Sequence, residues 1–178
     1  MPQSLHLLAI SILLLNAGSA PAQDLPYTVA LSPWPELLGS ARARIRVDEA
    51  APAVRVHLPW RRHDPNPEAK AVILTNATGA ELPNTFIARA DSDSADIVFS
   101  PSAGPGDYFA YYLALNAPPK GRLSPTGDRK ATYRTPSFTG DSAWKLRAGN
   151  WQALPQARAV EFQSRTAFDS FFPMEVTA

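Results

Sequence analysis

Apolar and polar residues alternate over two neighbouring stretches, Ala43-Arg44-Ile45-Arg46-Val47 and Val54-Arg55-Val56-His57-Leu58. A period of two is the mark of a strand with one buried face, so Val54, Val56 and Leu58 should face a core while Arg55 and His57 face water. Ala71-Val72-Ile73-Leu74-Thr75 is a continuous apolar run suited to a central strand, and Asn76-Ala77-Thr78-Gly79 supplies the turn after it, since asparagine and glycine tolerate positive φ. Further strands are expected over residues 85–88, 96–100, 108–115 and 159–164. The one short helix expected covers 142–149, between two proline-bearing segments. Residues 116–137 and 154–158 read as irregular; the first is rich in proline, glycine and charge.

Many short strands separated by turn signals, with no crossover helices, predict an all-β chain: an antiparallel β-sandwich, immunoglobulin-like or jelly-roll-like, with long irregular loops. A barrel is the alternative topology. The 18 prolines support this, because proline removes a ladder donor and breaks helix interiors. In the stretch SAGPGDYFAYYLAL, Gly104-Pro105-Gly106 makes a constrained turn just before an aromatic strand. Tyr108 or Tyr111 would close that turn through its hydroxyl, as in the tyrosine corner of sandwich domains. The other reading of Tyr108, Phe109, Tyr111 and Tyr112 is a sugar-stacking platform, but successive strand residues point to opposite faces, so at most half of them can share one surface.

Met1 to Ala22 read as a signal peptide. Leu7 to Leu15 form an apolar run too short to span a bilayer, and Ala20 and Ala22 suit a signal peptidase cutting before Gln23, although the first six residues carry no lysine or arginine. The expected product is secreted or periplasmic, with no membrane span, and residues 23–178 form one domain. The chain has no cysteine, so an exported domain of this kind must be held by core burial rather than disulfides. A formal charge of +1 with interspersed signs gives no footprint for nucleic acid.

Candidate chemistry is sparse. There is no Gly-x-Ser-x-Gly, no thiol, and no histidine pair at helical spacing, so no cofactor, metal site or catalytic residue is expected. The Asp91 to Asp96 run lacks the glycine and the acid that a calcium loop needs at its sixth and twelfth positions, and reads as an acidic turn. Asp48-Glu49 is an adjacent acidic pair, and neighbouring strand residues point apart, which does not suit paired carboxylates across a cleft. One stretch stands out: Trp60, Arg61, Arg62 and Asp64, between Pro59 and Pro65. Trp60 could stack on a pyranose and the arginines could grip a carboxylate, a pair of sugar hydroxyls or a neighbouring domain. Alternatively, Trp60 packs over the sheet edge and one arginine pairs with Asp64 or Glu68, and this structural reading is preferred.

The blocks LPWRRHDPNPEAKAVILTNATG, ADIVFSPSAGPGDYFAYYL and VEFQSRTAFDSFFPMEV, in this order from His57 to Val176, resemble the N-terminal domain of glycoside hydrolase family 123-like proteins. The resemblance implies a β-sandwich that precedes a catalytic barrel. Members with both parts are exo-acting hexosaminidases acting on terminal N-acetylgalactosamine, by substrate-assisted catalysis from an aspartate and glutamate pair in the barrel. The chain stops at Ala178, where the barrel would be expected to follow, so that pair has no counterpart here, and Asp48-Glu49 lies before the matching blocks. The expected protein is a non-catalytic accessory domain, a piece of a longer enzyme, with a catalytic barrel or a glycan as partner. A stand-alone carbohydrate-binding module is the alternative. Phe168, Phe171, Phe172 and Met174 form an apolar cluster that either completes the core or forms a seam against a following domain.

Overall fold

The computed structural model describes residues 25–60, 62, 64–117 and 132–167. Residues 1–24, with the expected signal peptide, lie outside that range, as do Arg61, most of the 116–137 excursion and the Phe168 to Met174 cluster.

The described residues are mostly β and form eight strands: β1 (Tyr27–Val29), β2 (Ala41–Val47), β3 (Val54–Leu58), β4 (Ile73–Asn76), β5 (Thr85–Ala90), β6 (Ala95–Phe99), β7 (Gly106–Tyr111) and β8 (Gln156–Ser164). The single described α-helix, α1 (Ser142–Arg147), begins at an Asp141 side chain that accepts from the Ala143 amide at 2.8 Å. It is anchored by buried Trp144, whose indole donates to the Pro52 carbonyl at 3.0 Å and whose ring stacks on Phe138.

The expected pair of separate antiparallel sheets is not what forms. Seven strands make one mixed, strongly curled sheet in the order β4-β7-β2-β8-β3-β6-β5, and β1 adds to β8 beside that path. The cause lies in β8. From Arg158 onward it pairs antiparallel with β2, while Gln156 and Ala157 at its start pair parallel with Arg55 and Val56 of β3. Within the stretch paired with β2 the register shifts: Arg44 faces Glu161 but Ile45 faces Ala159, which leaves Val160 as an extra residue. A bulge of this kind bends the strand and increases its twist, so one strand serves both halves of the sheet. Residues 154–158, expected to be irregular, therefore contain the start of a nine-residue strand. Its alanines hid it: Ala157 and Ala159 carry little hydrophobic contrast.

The period of two seen in the sequence is the period of the core. Ala41, Ala43, Ile45 and Val47 of β2, Val54, Val56 and Leu58 of β3, Ile97 and Phe99 of β6, and Tyr108 and Ala110 of β7 are all buried in one cluster inside the curl. Burying a side chain of this size contributes roughly 1.5–3 kcal/mol, which here replaces the covalent staples that the chain lacks. His57 faces out, as expected, and its Nδ1 lies 2.9 Å from Asp96. Strand β7 ends at Tyr111, yet Tyr112, Leu113, Ala114 and Leu115 remain buried beyond it. No helix among the described residues is long and apolar enough to cross a membrane.

Candidate functional site

The stretch after β3 leaves the sheet at Pro59 and folds back over the end of the curl. Its path is fixed by the Arg62 amide donating to the Ser92 carbonyl at 2.6 Å, by Asn66 at a left-handed φ of 53°, and by a 3-10 turn over Pro67–Ala69. The 3-10 turn presents Lys70 back towards Asp64.

Arg62 lies at the centre, 2% exposed. Its Nε and Nη2 donate to the two carboxylate oxygens of Asp64 at 2.7 and 2.6 Å, and its Nη1 donates to the Tyr112 carbonyl at 2.7 Å. This is the forked, two-point grip that suits guanidinium to carboxylate. Lys70 adds a second cation: its Nζ bonds Asp64 and donates to the Pro65 carbonyl at 2.7 Å, and it sits 4.7 Å from the centre of the Tyr133 ring. Burial works against a charge on Asp64, but the bonds from Arg62 and Lys70 outweigh it and hold the carboxyl below the ordinary carboxylate value.

Trp60 closes the cluster from the core side. It is 4% exposed, its indole N–H donates to the Asp91 carbonyl at 2.9 Å, and the Arg62 guanidinium lies 4.9 Å from its ring centre. Tyr112 packs on it with ring centres 5.8 Å apart, and Phe162 follows edge-on at 6.0 Å. Burial pushes the Tyr112 phenol far above its ordinary value, so it stays neutral.

Chemically, then, both oxygens of Asp64 and all three guanidinium nitrogens of Arg62 are engaged within the domain. Trp60 has no open face on which a sugar could stack. Of the residues singled out in sequence, the structure brings together Trp60, Arg62 and Asp64; Arg61 is outside the described residues. Asp64, not Glu68, takes the arginine. Two partners were not legible, Lys70 and the Tyr112 carbonyl. The lysine had a signal, since a lone cation shortly after a proline-fixed aspartate can return to it, but a backbone acceptor leaves none.

The second set forms elsewhere. The Tyr108 hydroxyl donates to the Gly104 carbonyl at 2.6 Å, the tyrosine corner expected of either Tyr108 or Tyr111. Gly104 at φ 79° and Gly106 at φ 150° supply the backbone shape of that turn. Tyr111 lies on the opposite face of β7, buried in a second cluster with Trp34 and Ile73, where it accepts from Arg42 Nη1 at 3.0 Å and meets Trp34 edge-on. The aromatic strand is thus divided between faces: Tyr108 inside and Phe109 and Tyr111 outside, with Tyr112 turning inward just past its end.

Among the described residues, no group of three or more histidines, aspartates or glutamates converges as a metal site would require. Asp91 folds back on its own turn, accepting from the amides of Asp93 and Ser94 at 2.9 and 2.8 Å. Asp48 pairs with Arg158 at 3.0 and 3.2 Å. A groove of about 610 Å³ lies between β4 and β5, the two ends of the sheet path. Phe86, Arg89, Arg134 and Phe138 are among the side chains that line it.

One comparison with known proteins finds a match. The family model described as "Glycoside hydrolase 123, N-terminal domain" matches residues 32–165. No curated protein and no solved structure matches the chain. The matched span runs from just after β1 to the end of β8 and includes the whole Trp60 cluster and the tyrosine corner.

Proposed function

The chain belongs to the glycoside hydrolase 123 N-terminal domain family, and on that premise we propose that it is an exported, non-catalytic accessory domain that supports or positions a catalytic barrel of the N-acetylgalactosaminidase type. The family match is the observation that carries this reading. Its support from the site is that the buried charged cluster, Arg62 with Asp64 and Lys70, is spent on internal bonds. Catalytic glycosidase sites instead hold paired carboxyls apart across an open cleft. Asp48 is tied to Arg158, and Asp91 to its own turn.

The test is turnover of an aryl N-acetylgalactosaminide by concentrated, folded protein. None is expected from this chain, and release of the aryl group at a rate that scales with protein would overturn the reading. Export is tested separately by N-terminal sequencing of protein recovered outside the cytoplasm, which should begin at Gln23.

A second reading, a stand-alone carbohydrate-binding module, is favoured by one observation, the groove between β4 and β5 with Phe86 and Phe138 along it. Aromatic faces and forked donors are the groups that hold sugars. Trp60, being buried, would not take part. A glycan array positive for the parent and negative for Phe138→Ala would establish this reading. A flat array for folded protein would dismiss it.

A further inference from the structure

The two strands that end the sheet path differ at their outer edges. On β4 the Leu74 carbonyl accepts from the Leu82 amide at 2.8 Å, the Asn76 amide donates to the Ala80 carbonyl at 3.0 Å, and just before the strand the Ala71 amide donates to the Arg134 carbonyl at 2.8 Å. The chain itself seals that edge. On β5 the Asn84 carbonyl accepts from the Ser100 amide at 2.9 Å, and the Asp91 amide donates to the Ser94 carbonyl at 2.9 Å, so Asn84 and Asp91 turn these groups towards β6. Opposed residues of an antiparallel ladder alternate between bonded and non-bonded pairs. The register sets Thr85 against Phe99, Ile87 against Ile97 and, past the bulge at Ala88, Ala90 against Ala95. Thr85, Ile87 and Ala90 therefore aim their N–H and C=O groups away from β6. The Thr85 amide is taken by the Pro83 carbonyl at 3.1 Å, while the outward groups of Ile87 and Ala90 have no backbone partner among the described residues.

The groove of about 610 Å³ runs along this open edge. All six residues of β5 line it, and neighbouring strand side chains point to opposite faces, so the groove lies beside the strand and not over one face. The segment 134–139 lines it as well, pinned at one end by the Arg134 carbonyl on Ala71 and beyond the other by the Asp141 amide, which donates to Asn84 Oδ1 at 2.7 Å. Gly140 packs so closely there that an added Cβ would lie 2.1 Å from that oxygen. Between the pins, residues 135–139 make no backbone hydrogen bond among the described residues.

We propose that the groove takes a lone extended segment of a partner protein, which adds to β5 as a further strand through Ile87 and Ala90. Outward backbone donors and acceptors along a strand edge are matched by another extended backbone. Sugar hydroxyls do not repeat in that way, and Phe138 is already stacked on Trp144 with Lys145 Nζ 4.8 Å from its ring centre. With β4 on the other side, the space admits a single strand and not the edge of a second sheet. Arg134, Lys145, Glu68 and Glu81 line the groove with no ion-pair partner among the described residues, which suits a segment carrying both signs of charge. Such a site is independent of export and of the absence of catalysis.

The experiment selects binders to the full, folded chain from a displayed library of random linear peptides, and synthesises the enriched sequences. N-methylation at alternate residues of a bound peptide should weaken it about tenfold or more where the lost N–H faced β5, and far less at the residues between. Exchange of the Ile87 and Ala90 amides should slow when the peptide binds. Ile87→Pro removes an outward N–H that takes no part in the ladder to β6, a place where an edge strand accepts proline, and should weaken binding to a similar degree; the peptide series and the exchange data decide the matter should that variant not fold. No enriched binder, equal loss at every N-methylated position, or unchanged exchange at Ile87 would overturn the proposal. Self-association that protects Ile87 would overturn it in favour of a second copy, and a glycan array positive for the parent and negative for Phe138→Ala, with no peptide bound, would give the groove to a sugar.

Discussion

Arg62 and Arg44 each hold a carboxylate, one inside the domain and one on its outer face. Arg44 sits on the outward side of β2, its Nε 2.9 Å from Glu161 and its Nη1 3.4 Å from Asp107. Arg46 reaches the same Asp107 at 3.2 Å, and Arg42 bonds Gln163 at 2.8 Å while lying over the Phe109 ring at 3.9 Å. These side chains form a ladder across β2, β7 and β8 with water on one side. The Arg62 and Asp64 pair has none. Attraction between charges grows as water is removed, and so does the penalty for leaving either one alone. The ladder should therefore tolerate losses that the buried pair does not, although the residue types are the same.

The largest effect is expected from Asp64→Asn, which strands Arg62 and should cost about 3–5 kcal/mol in urea unfolding. A change of less than 1 kcal/mol would erase the contrast between the two regions. The same aspartate sets a pH dependence. Its folded carboxyl titrates below the ordinary 3.8, so its contribution is fully present above that value and is lost as pH falls through the folded one. Unfolding midpoints measured downwards from pH 5 should fall more steeply in the parent than in Asp64→Asn.

Gly39→Ala disturbs the buried region without touching a charge. Gly39 has φ 84°, and an added Cβ would lie 2.2 Å from the Leu113 carbonyl oxygen, next in chain to the Tyr112 that Arg62 grips. Strain at such a position costs about 1–3 kcal/mol before any clash is counted. A thermal midpoint equal to the parent's would show that this end of the curl yields easily. Tyr108→Phe supplies a neutral yardstick, since it removes one partly buried hydrogen bond to Gly104 and should cost about 0.5–1.5 kcal/mol. Glu161→Gln on the ladder should cost less than about 1 kcal/mol, and the loss should shrink further in high salt. A salt-independent loss would place Glu161 with the buried group.

These two regions were not equally legible in the sequence. The ladder side followed from alternation alone, because Arg44 and Arg46 interleave with Ala43, Ile45 and Val47. The turn at Asn76 was equally plain: its Oδ1 accepts from Thr78 and Ala80 at 3.0 and 2.9 Å, with Gly79 at φ 87°. Trp60, Arg62 and Asp64 could be named as a group, and the tyrosine corner narrowed to two residues. The curl of the sheet could not be read, because a bulge at Val160 and two parallel pairings join residues far apart in the chain. Nothing local marks such a junction. Strand β1 escaped notice for a related reason: Tyr27–Val29 is three residues long and acquires its strand form only from β8.

The most direct test of the contrast is a pair of double-mutant cycles by equilibrium denaturation, Arg62→Met with Asp64→Leu and Arg44→Met with Glu161→Leu. The account predicts a coupling of about 2–3 kcal/mol for the buried pair, at the upper end for contacting residues, and below about 1 kcal/mol for the partly exposed one. Equal couplings would contradict it, because the same bond would then be worth the same with water and without.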